Sequence, residues 1–371
     1  PCDCLGASIC DDGLAGSGAC RCPGSYAWTE HPDNPVIAWQ DFLPDTFWND
    51  PSVLAEGGGY RMWLSGGDPN QDPVRVAVYH ATSADSLTWN LDPQPVLTPG
   101  EPGCWDAERI ETPSVVRVDG TYHLYYAGCA EGCGDDPVFA IGHATSQDGL
   151  AWTRDPANPI LTHQDADPNA WGAVGANEPA VIHDPATGMF RLYYASVRFQ
   201  LTTPTIGRLG ILLATSTNGS RFTHVTDAAG DRLAVLTRDI QGAPGDSWFG
   251  YANPGVVLTA DGRIHLLAGF VVAPGGPATA RTVAIDHAVS DDGILFRVVD
   301  EAILAAGQGD WKDQNVRAAT AVEERGELKI WFAGDTLVPV FSGGGYQGRY
   351  GMFTCVDEAV AAARDAFEQL S

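Results

Sequence analysis

The sequence predicts an all-β protein, a five-bladed β-propeller closed by an N-terminal strand, with a Cys-rich N-terminal tail and a short C-terminal helix. Three observations carry this reading. A strand-entry motif occurs five times: Phe47-Trp48-Asn49-Asp50-Pro51-Ser52-Val53, Ile110-Glu111-Thr112-Pro113-Ser114-Val115, Asn177-Glu178-Pro179-Ala180-Val181, Asn253-Pro254-Gly255-Val256 and Arg317-Ala318-Ala319-Thr320-Ala321. The aligned positions Pro51, Pro113, Pro179, Pro254 and Ala319 are 62, 66, 75 and 65 residues apart, which suits four strands and long loops per unit. Residues 27–37 also match 151–161 almost position for position. The later copy is the last strand of a repeat, so the early copy is expected to complete the fifth unit, whose own end lacks one.

Residues 1–25 lack hydrophobic periodicity and hold Cys2, Cys4, Cys10, Cys20 and Cys22 among small and polar residues. Their C-x-C spacing differs from the C-x2-C of zinc sites, so disulfides and an oxidising compartment are expected: a secreted, cell-surface or periplasmic protein. Cys129 and Cys133 share one loop and can bridge locally, while Cys104 and Cys355 have no evident mates. The repeats span 26–356. In the second unit an entry strand from Pro113 meets an Asp119-Gly120 turn, a second strand runs over 122–127, and a third ends in Gly142-His143-Ala144-Thr145-Ser146. Asp148-Gly149 then turns into the outer strand at Trp152. Alternating apolar residues with such turns are hairpin signals. Over 357–371, Val360, Ala363, Phe367 and Leu370 fall on one helical face behind Asp357, predicting a helix that packs back on the propeller.

A net charge of −26 with only two lysines, Lys312 and Lys329, argues against nucleic acid, whose phosphates would be repelled. The acid surplus is spread along the chain and reads as serving solubility. No apolar run approaches the roughly 20 residues of a membrane-spanning helix.

In a propeller the first strand of every blade lines the central channel, so the five entry motifs begin around one ring. Asp50, Glu111 and Glu178 are thereby expected to meet. Segments 66–75, 129–138, 197–208, 270–281 and 334–349 are expected to wall a pocket above them. Two carboxyl groups flanking a glycosidic bond suffice for hydrolysis: one protonates the leaving oxygen, the other activates water or attacks the anomeric carbon. A third acid raises the pKa of the donor by like-charge repulsion.

The five-unit pattern, Trp48-Asn49-Asp50-Pro51, and the Ala-Thr-Ser…Asp-Gly…Trp signature of 144–152 resemble the five-bladed glycoside hydrolases of families 43 and 32 over residues 26–356. The resemblance implies that Asp50 is the base or nucleophile, Glu111 the supporting acid that sets pKa and binds substrate, and Glu178 the proton donor. Two departures matter. Glu111 lies two residues before its proline, and Ile110-Glu111-Thr112-Pro113 is similar to the Glu-Gly-Pro form that carries the family 43 donor, so the Glu111 and Glu178 roles are exchangeable. Ser52 replaces the Asn that follows the family 32 motif, leaving inversion or retention open.

Asn49, Trp48, Asn177, Asn253, Arg317, Arg208 and Arg349 are the candidate substrate contacts. Asn253 and Arg317 hold the ring positions of units four and five, and Arg208 and Arg349, like Arg75 and Arg281, precede third strands on the pocket face. Trp105, Trp171, Trp248 and Trp311 occupy the place of Trp48 and are expected to pack between blades. His80, His143 and His287 recur at one third-strand site, as structural elements and not metal ligands. Asp68 and Asp335, at second-strand ends, are placed to reach the pocket, with solvent exposure the default expectation. No metal ligand set and no required cofactor is read; the family resemblance admits a calcium ion in the channel. The expected function is glycoside hydrolysis on an oligo- or polysaccharide containing a furanoside or pentose, such as an arabinofuranoside, fructofuranoside or xyloside. The alternatives are a noncatalytic glycan-binding propeller and a phosphorylase or transglycosylase on the same scaffold.

Overall fold

The computed structural model describes residues 26–37, 46–68, 70–71, 74–131, 139–162, 170–172, 175–200, 206–240, 247–275, 279–307, 311–336 and 347–357. The Cys-rich segment and the expected C-terminal helix beyond Asp357 lie outside them, as does much of the expected pocket wall. Asp357 itself ends a strand.

Among the described residues the regular structure is β, with no α-helix. Five antiparallel ladders follow one another. The first joins β2 (Phe47–Glu56), β3 (Gly59–Gly67) and β4 (Val76–Ser83), with the short β5 (Asn90–Leu91) on the edge of β4. The second joins β6 (Arg109–Val118), β7 (Thr121–Cys129), β8 (Ala140–Ser146) and β9 (Thr153–Arg154). In the third, β10 (Asn177–Asp184), β11 (Met189–Gln200) and β12 (Ile206–Ser216) carry β13 (Thr223–His224) and β14 (Ala234–Thr237). The fourth is β15 (Trp248–Leu258), β16 (Ile264–Ala273), β17 (Arg281–Ser290) and β18 (Arg297–Ala305). The fifth is β19 (Asn315–Glu324), β20 (Glu327–Thr336) and β21 (Gln347–Asp357), and its outer edge pairs with β1 (Tyr26–Glu30), Trp28 opposite Cys355.

Local chemistry accounts for the repeated turns. Asp119 and Gly120 both take positive φ, 49° and 84°, as a two-residue hairpin turn requires. After third strands a Ser and an acidic or amide residue close the next loop. Ser146 Oγ accepts from Gly149 N, and Asp148 Oδ1 accepts from Leu150 and Ala151 N. Ser83 with Asp85, Ser216 with Asn218 and Ser290 with Asp292 do the same.

The core lies between ladders. Five apolar clusters join the first ladder to the second, the second to the third, the third to the fourth, the fourth to the fifth, and the fifth back to the first, where Trp48, Val53 and Tyr60 meet Trp331 and Ala333. A tryptophan near each entry strand rests on a glycine. A Cβ at Gly66, Gly128, Gly210, Gly207 or Gly334 would lie 2.6–2.7 Å from the ring of Trp48, Trp105, Trp171, Trp248 or Trp311 respectively. Only glycine leaves the ring its seat. Nearer the axis, hydroxyls tie entry strands together: Thr320 Oγ1 accepts from Val53 N, Ser52 Oγ from Val115 N, and Ser114 Oγ from Val181 N.

Candidate active site

Each entry strand carries the same irregularity. Register shifts fall between Asn49 and Ser52, Glu111 and Ser114, Asn177 and Ala180, Ala252 and Gly255, and Arg317 and Thr320. The residue inside each bulge has left-handed φ: Asp50 54°, Thr112 52°, Glu178 54°, Asn253 47° and Ala318 53°. A bulge with a non-glycine residue in this region costs about 1–3 kcal/mol and re-aims a side chain out of the pleat. All five bulge residues line one small cavity together with the residue that follows each. At ≈ 30 Å³ it has room for about two waters and none for a sugar ring. Beneath it the channel widens to ≈ 260 Å³ between the later parts of the five entry strands.

The structure brings Asp50, Glu111 and Glu178 into electrostatic contact around this ring, with Arg317 as their shared cation. Asp50 is 7 % exposed. Burial raises its pKa from the usual carboxylate value, while Arg317, the Ser65 hydroxyl and the Thr112 backbone N–H oppose the rise. Ser65 Oγ also accepts from Thr112 N at 2.9 Å, which fixes β3 of the first ladder to the second bulge. Glu111 stands one residue ahead of its bulge residue, level with Asn49, Asn177 and Arg317. Burial first, then the charges of Asp50 and Glu178, push its pKa up to about 8 against the pull of Arg109 and Arg317. Glu178 is raised to about 7 by burial and by Asp50, held down by Asn253 and Arg317. Its two oxygens accept from Asn253 N and Nδ2, each at 2.6 Å. Glu111 and Glu178 are half-buried, walled by protein on most sides yet open to water.

The expected substrate contacts divide. Asn49 is half-buried beside Asp50, and its Oδ1 has no partner among the described residues. Asn177 Oδ1 accepts from Glu178 N at 2.8 Å. Asn253 and Arg317 lie in the ring, but each is engaged: Asn253 with Glu178, and Arg317 Nη2 with Asp335 Oδ2 at 2.6 Å. Arg208 pairs with Asp239 and lies over the Phe249 ring, and no interaction joins it to the three acids. The backbone of Arg349, in β21, pairs with Gly334 of β20, and its side chain is outside the described residues.

Trp48 corrects its expectation: at 1 % exposure, edge-on to Tyr79 at 5.0 Å and seated on Gly66, it packs inside the first ladder's interface and cannot stack on a sugar. Asp335 also departs from expectation. It is 1 % exposed, accepting from Arg317 and from Asn315 Nδ2. Sequence reasoning missed Ser65, Thr282 and Asn315: Ser65 pairs with Asn49 at the first bulge, whereas Asn315 lies two residues before Arg317 on its own strand and Thr282 pairs with Val271 on β16, so only Ser65 could have been found by register with an entry-strand bulge. His80, His143 and His287 each hold an Asp from the outer part of their own ladder, Asp92, Asp155 and Asp300. No cluster of three metal-binding side chains occurs among the described residues.

Solved structures share this arrangement of strands. A glycosyl hydrolase from Bacteroides ovatus superposes at TM-score 0.60 with 16 % identity, covering 89 % of this chain and 93 % of that one. The fold is shared with this solved structure. Zg3597, a family 117 glycoside hydrolase of the marine bacterium Zobellia galactanivorans, matches at TM-score 0.58 and 14 % identity over 90 % of each chain. A member of the GH130 family of mannoside phosphorylases, described as containing hydrolases that target β-1,2 mannosidic linkages in Candida mannan, matches at 0.57 and 16 %, over 88 % of this chain and 93 % of its own. No protein-family model matches. Two curated Mycobacterium tuberculosis proteins, uncharacterized protein MT1551 (strain CDC 1551 / Oshkosh) and uncharacterized protein Rv1502 (strain ATCC 25618 / H37Rv), are each 29 % identical over 163 residues, 43 % of this chain. The chain spans about half the length of these relatives, 50 %. No helix among the described residues is long and apolar enough to cross a membrane.

Proposed function

We propose that the chain is an exported glycoside hydrolase acting on a furanoside or pentose-containing glycan, built as a five-bladed propeller over 26–356 and closed by β1. Five inter-ladder clusters support closure, since an open row of five ladders has only four interfaces. The bond from Val53 N to Thr320 Oγ1 lies across the same seam. The cysteine cluster of 1–25 supports export and a disulfide-held tail, and the apolar face of 358–370 a docked helix.

The observation that carries the activity is the meeting of three carboxyl groups from three remote segments at one water-accessible ring. Asp50, facing a cation and two donors, is suited to act as base or nucleophile. Glu111 and Glu178, with raised pKa values of about 8 and 7, divide proton donation and pKa setting. A noncatalytic glycan binder would gain nothing from a carboxyl such as Glu111, which has no hydrogen-bond partner among the described residues and keeps its proton near neutrality. The chemistry calls for no cofactor, and the reading admits a structural calcium ion in the channel.

The test is a screen against chromogenic arabinofuranosides, xylosides, galactosides and fructans, with product configuration read by NMR. Asp50→Asn, Glu111→Gln and Glu178→Gln are each expected to lower turnover by about 10²–10⁴-fold with the fold retained. Full activity in the Asp50 variant would remove the mechanism.

A further inference from the structure

Behind Glu178 runs a line of buried polar groups that crosses from the fifth ladder to the third. Asp335, on β20, accepts from Asn315 Nδ2 at 2.7 Å and from Arg317 Nη2 at 2.6 Å. With its nitrogen committed to Asp335, Asn315 turns Oδ1 outward, where it accepts from Thr282 N at 2.8 Å. Thr282 Oγ1 donates to Asn253 Oδ1 at 3.3 Å, which leaves Nδ2 facing one oxygen of Glu178, while the Asn253 backbone N–H donates to the other. Thr282, Asn315 and Asp335 are all buried. Gly269 makes room for the link, because a Cβ there would lie 2.7 Å from Thr282 Cγ2.

The amide of Asn315 is oriented at the buried end, since a carboxylate at position 335 accepts only and the Thr282 backbone N–H donates only; the amide of Asn253 is oriented separately, by the Thr282 hydroxyl. The line ends in two donors aimed at Glu178, and a carboxyl facing two donors is stabilised in its ionised form. Glu111 has no such donors.

We infer that Asp335, Asn315, Thr282 and Asn253 form a positioning brace that holds Glu178 ionised, so that Glu111 is the group that keeps and donates the proton. This deepens the hydrolase reading and rests on it for its catalytic meaning, but the protonation order it asserts is a property of the free protein. The charged groups facing Glu178 are Asp50, Arg317 and Glu111 itself; those facing Glu111 are Asp50, Glu178, Arg109 and Arg317. The higher value of Glu111, about 8 against about 7, agrees in direction. Asn253 and Asp335 are positioning residues, since neither need touch the reacting atoms.

The experiment is a carboxyl ¹³C NMR titration of protein labelled at glutamate Cδ, the two signals assigned by their loss in Glu111→Gln and Glu178→Gln. In the unsubstituted protein Glu178 is expected to titrate below Glu111. Asn253→Gly, which tolerates the left-handed backbone, keeps the backbone N–H and removes the side-chain amide with its Nδ2 donor, is expected to raise the Glu178 midpoint by about one pH unit, a roughly tenfold change in ionisation constant, and to move Glu111 much less. Thr282→Val, close to isosteric, is expected to shift Glu178 the same way by a smaller amount. Glu111 titrating below Glu178, or a Glu178 midpoint unmoved by both variants, would overturn the brace. Because no substrate is used, absence of turnover on every glycoside tested would defeat the hydrolase reading while leaving this titration order to stand or fall alone.

Discussion

Replacing Glu111 with Gln should make the protein more stable, and only at high pH. In the unfolded chain this carboxyl ionises near its usual value of 4.5, whereas in the fold it holds its proton to about 8. Between those values the unfolded state has released a proton that the folded state keeps, so stability falls as pH rises, and above about 8 the loss levels off. At about 1.4 kcal/mol per pH unit the total is on the order of 3–5 kcal/mol, set mainly by burial and then by the charges of Asp50 and Glu178. Gln has the shape of the protonated acid and cannot ionise. Urea unfolding of both proteins from pH 4 to pH 9 should give curves that coincide near pH 4 and diverge by a few kcal/mol at pH 9, the variant above. A difference independent of pH, or a variant less stable at pH 9, would refute the idea that this site stores unfavourable charge.

Gly334→Ala would drive a methyl to 2.7 Å from the Trp311 ring, and should cost about 1–3 kcal/mol in urea unfolding. Asp335→Ala strips Arg317 and Asn315 of their acceptor and should cost about 3 kcal/mol, measured as a lower thermal midpoint. His265, stacked on His287 and buried, is held down to about 3, so below pH 6.5 the unfolded chain takes a proton that the fold refuses. Stability should therefore drop as pH falls from about 6.5 towards 3, and His265→Asn should remove about 1.4 kcal/mol per pH unit of that slope around pH 5. An unchanged slope would place the acid sensitivity elsewhere.

The ring was legible because five strands solve one geometric problem with one device. A bulge that must turn a side chain toward the axis leaves the same short signature each time, and a carboxylate inside it is visible as a letter. Asp50 and Glu178, each directly before its proline, fall in the bulge itself. Glu111 stands two residues before its proline, and the structure shows what that means: Thr112 takes the bulge position in the second ladder and Glu111 the position that Arg317 takes in the fifth. What the letters hid was the partner on the next strand. Trp48 beside an acid has the look of a sugar platform, and only Gly66 on β3, whose missing Cβ the ring fills, reveals a packing residue. Asp335 ends a strand after Ala333-Gly334, where acids are commonly solvated. Its burial comes from Asn315 and Arg317 across a hairpin, a pairing set by register and not by any local pattern.

The five entry strands do not approach their neighbours equally. Around the carboxylate-bearing side, Ser52, Ser114 and Thr320 hold adjacent strands a hydroxyl apart, whereas a Cβ at Gly255 would lie only 1.7 Å from the Ala319 carbonyl oxygen. Backbone therefore meets backbone between the fourth and fifth entry strands. The repeated units are thus not interchangeable: transplanting the first into the place of the fourth would bring Ser52 to a spot that admits no side chain at all.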